Sequence, residues 1–258
     1  MKFIDQMNNT ILLSDTPKRI VSLVPSITEL LVDLGLENNL IGITKFCVEP
    51  SYLKSKIQII GGTKNLNIDK IQKLAPDFII ANKEENIESD ILELKKFTIV
   101  WVSDVKTIDD NFDLINQLGS IFDKKKESVN IINSTKSIFN KTLNFNNKNK
   151  KVLYLIWKNP YMSIGRDTFI HNILTQFGFE NSIQNDRYPI VELENFKDID
   201  VVFLSSEPFP FSEKDIFEIQ NQLPKSQIKI VDGTYFSWYG SRISKSSDYF
   251  EQLITNLD

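Results

Sequence analysis

The sequence predicts an α/β protein of two Rossmann-like lobes with parallel sheets, joined by a long α-helix, with a ligand cleft between the lobes. Three observations predict it. RIVSLVPSITELLVDLGLEN (19–38) reads as a strand, a turn at Pro25-Ser26 and an amphipathic helix ending at Gly35-Leu36-Glu37-Asn38. KVLYLIWKNPYMSIGRDTFIHNILTQFGFEN (151–181) repeats that order and ends at Gly178-Phe179-Glu180-Asn181. Further echoes follow, PDFIIA (76–81) with DVVFLS (200–205) and TIVWV (98–102) with KIVD (229–232). Between the two sets, 123–143 keeps a helical pattern without Pro or Gly, which would otherwise break it. The expected domains are an N-terminal lobe over 1–120, a connecting helix over 121–147 and a C-terminal lobe over 148–258.

The elements follow in order. LIGIT (40–44) is a short strand, and FCVEP (46–50) is a loop because Pro50 pushes its neighbour out of the helical region. Gly61-Gly62 reads as a turn, and NIDKI (67–71) opens a helix that Pro76 ends. Residues 77–81 form a continuous apolar strand of the kind buried on both faces in parallel sheets. A helix over 88–96 is expected to turn Ile87, Ile91, Leu92 and Leu94 inward. Another starts at 109–118, and Val129, Ile132, Phe139 and Leu143 recur near helical spacing in the connecting segment. NFNNKNKK (144–151) is a polar stop, and the last helix covers about 247–257. Strand–helix alternation with short connections argues for parallel α/β lobes.

Composition narrows the function. With 258 residues, 41% hydrophobic and 25% charged, the chain is long enough for two modest cores. A net charge of −4 supplies no basic field for nucleic acid. Cys47 is the only cysteine, so there is no internal disulfide framework. No apolar run reaches the roughly 18 residues of a membrane span, so no membrane insertion is expected, and a monomer is. The opening MKFIDQMNNTILLSDTPKR lacks a basic flank followed by an apolar stretch. It predicts no secretory signal, hence a cytoplasmic location if Met1 is the natural start and a periplasmic one if the true start lies upstream.

Neither standard phosphate cradle, G-x-x-x-x-G-K-[ST] or G-x-G-x-x-G, is present, and there is no G-x-S-x-G elbow. His171 is the only histidine, which excludes a metal site of several imidazoles. It lies at a helix start whose expected cap is Asp167, and reads as a helix-terminus histidine bonded to backbone or water. Cys47 reads as a small packed residue, with only Lys45 nearby to lower its pKa. Glu84, Glu85 and Glu88 read as a solvated helix start suited to the positive end of the dipole. No catalytic residue, metal ligand or covalently bound cofactor is assigned.

Aromatics outside any helical spacing carry more. Trp157 and Tyr161 follow one strand of the second lobe, the run from Tyr235 to Tyr239 follows another, and Phe46 follows a strand of the first. Ligands of open α/β sheets bind beyond the carboxyl ends of strands, and aromatics there suit a bulky apolar ligand with polar edges. Arg242 either holds an anionic edge of that ligand by a bidentate contact or pairs with a carboxylate of the protein.

RIVSLVPSITELLVDLGL, IGITKFCVEP, GGTKNLNIDKIQKLAPDFIIA and the ending DGTYFSWYGSRI resemble the helical-backbone (class III) substrate-binding proteins of ABC importers over almost the whole chain. Cobalamin-binding members are the nearest in pattern, with ferric-siderophore and haem receptors related. The resemblance implies that Pro25 and Ser26 line the cleft from the first lobe. It also implies that Phe46 takes the place of a ligand-facing aromatic and that Trp238, Tyr239 and Arg242 belong to the segment closing over the ligand. Glu88 matches the first-lobe glutamate that docks into an arginine pocket of the permease, with Glu207 and Glu213 as candidates for its counterpart. The cobalamin binders carry a tryptophan near the position of Thr63, and this chain has none there. The expected function is a non-catalytic binding protein for a corrinoid (cobalamin), haem or ferric siderophore, serving an ABC permease. The alternative is a cytosolic enzyme or chaperone that processes or traffics such a ligand.

Overall fold

The computed structural model describes residues 1–142 and 149–257. Leu143, residues 144–148 of the polar stop and the expected boundary at 147/148 lie outside the described residues. The chain divides into two compact units. Unit 1 comprises Met1–Val105, Asp109–Ser134 and Tyr239–Arg242, and unit 2 comprises Lys106–Ile108, Thr135–Trp238 and Ile243–Asp258. Relative to the ranges expected from sequence, residues 239–242 sit with the first unit and 106–108 with the second.

Unit 1 opens with an antiparallel hairpin, β1 (Lys2–Ile4) and β2 (Thr10–Leu12). Its body is β3 (Ile20–Ser22), α1 (Pro25–Asp33), β4 (Leu40–Ile43), α2 (Leu53–Lys56), β5 (Gln58–Ile59), a second hairpin β6 (Gly61–Gly62) and β7 (Asn65–Leu66), α3 (Ile68–Lys73), β8 (Phe78–Asn82), α4 (Glu88–Leu94) and β9 (Ile99–Ser103). The main sheet is parallel in the order β5-β4-β3-β8-β9. Strand order reverses between β3 and β8, so the crevice at their carboxyl ends is where such a sheet takes a ligand. Ile20, Val21, Phe78, Ile79 and Ile80 are fully buried, as expected for strands covered on both faces, and each contributes about 1.5–3 kcal/mol.

Two helices follow, α5 (Ile108–Ile121) and α6 (Lys125–Thr142), and the division between units falls within α6, after Ser134. The helix expected over 123–143 starts at Lys125 because Asp123 takes a left-handed φ of 55°. Three other expectations are corrected. Gly61-Gly62 is not the turn but a strand paired with β7, the turn being Thr63-Lys64. Leu92 and Ile87 are exposed while Ile91 and Leu94 are buried, because a seven-residue helix turns one narrow stripe inward and position 92 lies about 100° off it. Val129 is exposed for the same reason, since the inward face of α6 runs through Ser128, Ile132, Thr135 and Phe139.

Unit 2 contains β10 (Lys151–Trp157), β11 (Met162–Ser163), α7 (Phe169–Gln176), β12 (Glu180–Asn181), β13 (Val201–Ser205), α8 (Glu213–Gln222), β14 (Gln227–Val231), α9 (Thr234–Ser237) and α10 (Ser247–Thr255). The parallel run β10-β13-β14 corresponds to β3-β8-β9 of unit 1, with β12 parallel and β11 antiparallel on the outer side of β10. Side chains alternate across this sheet. Leu153, Leu155, Val202 and Leu204 pack with Ile219 and Leu223 in one core cluster. Tyr154 and Phe203 on the other face meet Phe236, which in turn meets Phe250 at 5.2 Å edge-on.

The internal echo reaches the hydrogen bonds. Helices α1 and α7 end in the same Schellman turn. Gly35 donates to Val32 and Leu36 to Leu31, and Gly178 donates to Thr175 and Phe179 to Leu174. Gly35 and Gly178 have φ of 77° and 82°, a conformation glycine adopts without steric cost. At the other end of each sheet the Asp77 carboxylate accepts the N–H groups of Lys18 and Arg19, and that of Asp200 accepts the N–H of Lys151.

Candidate functional site

In unit 1 the carboxyl ends of β3, β8 and β9 carry a layer of buried amides and hydroxyls. Asn86 Oδ1 accepts the Asn82 N–H at 2.9 Å, and its Nδ2 donates to the Thr63 carbonyl at 3.0 Å. Asn82 Oδ1 accepts the N–H groups of Glu84 and Glu85, and Asn82 Nδ2 donates to Ser103 Oγ at 3.1 Å. These amides fix the turn that leads from β8 towards α4. Pro25 is the first residue of α1, where its missing N–H costs nothing, and it is buried along with Ser26.

Tyr239 joins this layer from the far end of the chain. Burial pushes its phenol well above the usual range, the Glu85 charge adds to that, and the neighbouring Ser103 and Ser26 hydroxyls oppose it. The following residues are held in the same unit. Gly240 N–H donates to Asn111 Oδ1 at 2.6 Å, Ser241 Oγ donates to Asp33 Oδ2 at 2.5 Å, and Arg242 Nε meets Glu29 Oε2 at 3.0 Å. Of the two roles open to Arg242, the structure shows pairing with a carboxylate of the protein.

Phe46 is the outward aromatic of this unit, 49% exposed. It lies with Lys45 against Gly62, where an added Cβ would come within 3.2 Å of the ring and 3.3 Å of the Lys45 stem. Cys47 beside it is fully buried, its Sγ 3.1 Å from Thr28 Oγ1 and 3.3 Å from Thr44 Oγ1. Burial pushes its thiol pKa up, which favours the unreactive form.

In unit 2 Trp157 closes β10 and is 41% exposed, with Phe209 edge-on at 5.8 Å. Next to it Lys158 Nζ reaches Asp215 Oδ1 and Glu218 Oε2, both at 2.7 Å, and the Tyr161 hydroxyl donates to Glu218 Oε1 at 3.1 Å. Burial, followed by that hydrogen bond, pushes the Tyr161 phenol up to about 12. Trp238 is buried, and its indole N–H donates to Glu207 Oε1 at 3.1 Å, an oxygen that also accepts from Ser237 Oγ at 2.6 Å.

The remaining candidates sit elsewhere. Glu88 and Glu213 are the exposed first residues of α4 and α8, the helices that follow the corresponding strands β8 and β13. His171 lies in the first turn of α7, whose cap is Thr168 rather than Asp167. The Asp167 carboxylate instead accepts the Arg187 N–H. Asn181 Nδ2 donates to His171 Nδ1 at 3.1 Å, and burial, then the Arg166 charge, lowers the imidazole pKa. Among the described residues no group of His, Cys, Asp and Glu is placed to hold a metal ion, and no helix is long and apolar enough to cross a membrane.

Sequence reasoning missed Asn82, Asn86, Phe209 and the Lys158 network. Of these only Asn82-x-x-x-Asn86, two amides bracketing a turn after an apolar strand, left a readable signal.

Comparison with known proteins places this geometry. The family described as periplasmic binding protein matches residues 20–227. An uncharacterized ABC transporter substrate-binding lipoprotein of Bacillus subtilis (strain 168), YvrC, is 26% identical over 189 residues, covering 69% of this chain and 59% of that protein. The chain spans less than two thirds of the length of the curated relatives it matches. The periplasmic vitamin B12 binding protein BtuF of Vibrio cholerae superposes with a TM-score of 0.78 at 20% identity, over 94% of this chain and 97% of that one. A periplasmic heme binding protein from Pseudomonas aeruginosa gives 0.80 at 18% identity, over 92% of each. The chain belongs to the periplasmic binding protein family.

Proposed function

We propose that this protein is a non-catalytic binding protein that captures a bulky metal chelate, a corrinoid, haem or ferric siderophore, for an ABC permease. The observation that carries the reading is the pair of outward aromatics, Phe46 just after β4 in unit 1 and Trp157 as the last residue of β10 in unit 2. Neither fills a core, and a large ring exposed beside a parallel-sheet crevice is a stacking platform for a flat ligand. Names of similar proteins, vitamin B12 binding and heme binding, supply the ligand class. The groups that an enzyme of this chain would use do not support the alternative, since Cys47 is sealed and His171 is bonded to Asn181.

Ligand contacts are proposed for Phe46, Trp157 and Tyr161, with Pro25, Ser26, Tyr239 and Arg242 in unit 1 and Trp238 in unit 2 as the layers behind. For docking we favour Glu88 and Glu213, exposed at matching helix starts, over Glu207, whose carboxylate accepts two hydrogen bonds from its own unit. The cytosolic location expected from the N-terminus finds no support in the relatives, named as lipoprotein and periplasmic proteins. We place the protein outside the cytosol. Native mass spectrometry and an absorption spectrum of protein purified from its own organism test the reading. A bound chelate whose retention is lost in Trp157→Ala is the expected result, and a ligand-free protein that takes up none of the three classes would sink it.

A further inference from the structure

The two outward aromatics differ in the cation beside them. In unit 2, Lys158 next to Trp157 is neutralised by Asp215 and Glu218. In unit 1, Lys45 next to Phe46 holds its Nζ 5.1 Å from the ring centroid and, among the described residues, enters no ion pair. The Lys45 N–H donates to the Gly61 carbonyl at 2.8 Å, and the side chains of Lys45 and Phe46 rest on Gly62, so ring and ammonium are presented together by the β6–β7 hairpin. Lys64 in the turn of that hairpin is exposed and likewise without an ion pair. Glu84 and Glu85 in the β8 turn have contacts of their own.

We propose that Lys45 is a specificity-determining residue that selects chelates carrying negative charge at the edge that meets Phe46. The inference rests on the chelate-binding reading above. A flat ligand stacked on Phe46 strips water from the neighbouring ammonium. Desolvating a charge is costly unless an opposite charge and hydrogen-bond acceptors replace the water. The protein supplies that replacement to Lys158 and withholds it from Lys45, so the ligand must bring it. A tetrapyrrole with carboxylate arms or a ferric chelate of net negative charge does so, and an uncharged corrinoid does not.

The test is titration of the purified full chain with four probes, followed by tryptophan fluorescence at low and high salt. Ferric protoporphyrin and a ferric tris-catecholate are anionic, while a ferric tris-hydroxamate and cyanocobalamin are uncharged. One anionic probe is expected to bind about tenfold tighter than both uncharged ones, with a preference that shrinks in salt. Lys45→Gln is expected to weaken that probe about three- to tenfold and leave any uncharged probe unchanged, whereas Phe46→Ala weakens every probe that binds. An uncharged probe that binds as tightly as the anionic ones, or an equal loss for all probes in Lys45→Gln, overturns the role of Lys45 and leaves chelate binding standing. Failure of all four probes to bind overturns both.

Discussion

Trp238 and Glu207 are joined by an indole N–H···carboxylate bond of 3.1 Å across 31 positions of sequence, and the same oxygen takes the Ser237 hydroxyl at 2.6 Å. Both bonds run to a carboxylate oxygen, and both donors lose their acceptor if the carboxylate is removed. Glu207→Ala is therefore expected to cost about 1–3 kcal/mol and to shift the tryptophan emission. Urea denaturation with an emission spectrum checks it. If Glu207 served only an external partner, the isolated protein would show neither change.

Arg242 and Glu29 form a second internal pair, with side-chain exposures of 13% and 4%. Removing one partner of a buried pair costs about 3–5 kcal/mol because the other charge stays behind, while replacing both with apolar residues is close to neutral. Arg242→Ala should lower the denaturation midpoint strongly, and Glu29→Met with Arg242→Met should recover most of the loss. Equal stability of Arg242→Ala and the parent would release the guanidinium for a ligand.

The Lys158 network sets a pH window. Hydrogen bonds from Lys158 and Tyr161 hold the Glu218 carboxyl below its usual range. At Asp215, burial pulls upward but is outweighed by hydrogen bonds from Lys158 and Ser212. Hydrogen bonds to Asp215 and Glu218 raise the Lys158 ammonium in turn. Depressed carboxyls stabilise above their unfolded values near 4 and lose that contribution as pH falls through the folded ones. A raised lysine stabilises fully below its unfolded value near 10.4 and loses it as pH rises past that. The stability difference between the parent and Lys158→Met is therefore expected to be flat from about pH 5 to 9 and to shrink on both sides. A difference independent of pH down to 2 would contradict it.

Gly35 and Gly178 test the internal repeat. An added Cβ at Gly35 meets only the Lys124 ammonium, at 3.7 Å, so the cost of alanine there is conformational. Gly35→Ala and Gly178→Ala are each expected to lose about 1–2 kcal/mol, adding in the double variant because the sites share no partners. Thermal denaturation of the three variants decides it.

Much of the fold was written in residues whose physics is local. Continuous apolar runs at 78–81 and 201–204 have one use in a parallel sheet, and Gly35 and Gly178 announce helix ends because other residues pay a steric penalty there. Faces were less legible. Leu92 and Val129 are apolar at near-helical spacing, and only the packed neighbours decide which side of the helix lies inward. Gly61-Gly62 carries no side chain to reveal a strand, so its pairing with β7 was hidden. At the candidate site, Phe46 follows β4 as its position suggested, whereas Trp157, read as lying after a strand, is the last residue of β10 itself. The partners of Glu207 and Arg242 did not, because a carboxylate and the donor it meets 31 or 213 positions away share no spacing rule.

The allocation of Tyr239–Arg242 to unit 1 has a consequence for biosynthesis. A ribosome releases the chain from its N-terminus, so Glu29, Asp33 and Asn111 emerge long before the residues that complete their surroundings. At about 5–20 residues per second, the stretch between Ser134 and Tyr239 takes roughly 5 to 20 s to translate. Throughout that interval the first-made unit lacks its last piece, and unit 2 has been synthesised as far as Trp238 before that piece arrives. The N-terminal unit thus has its whole sheet made early, yet its last segment arrives only after most of unit 2, so the closing of its surroundings around Glu29, Asp33 and Asn111 is a late event.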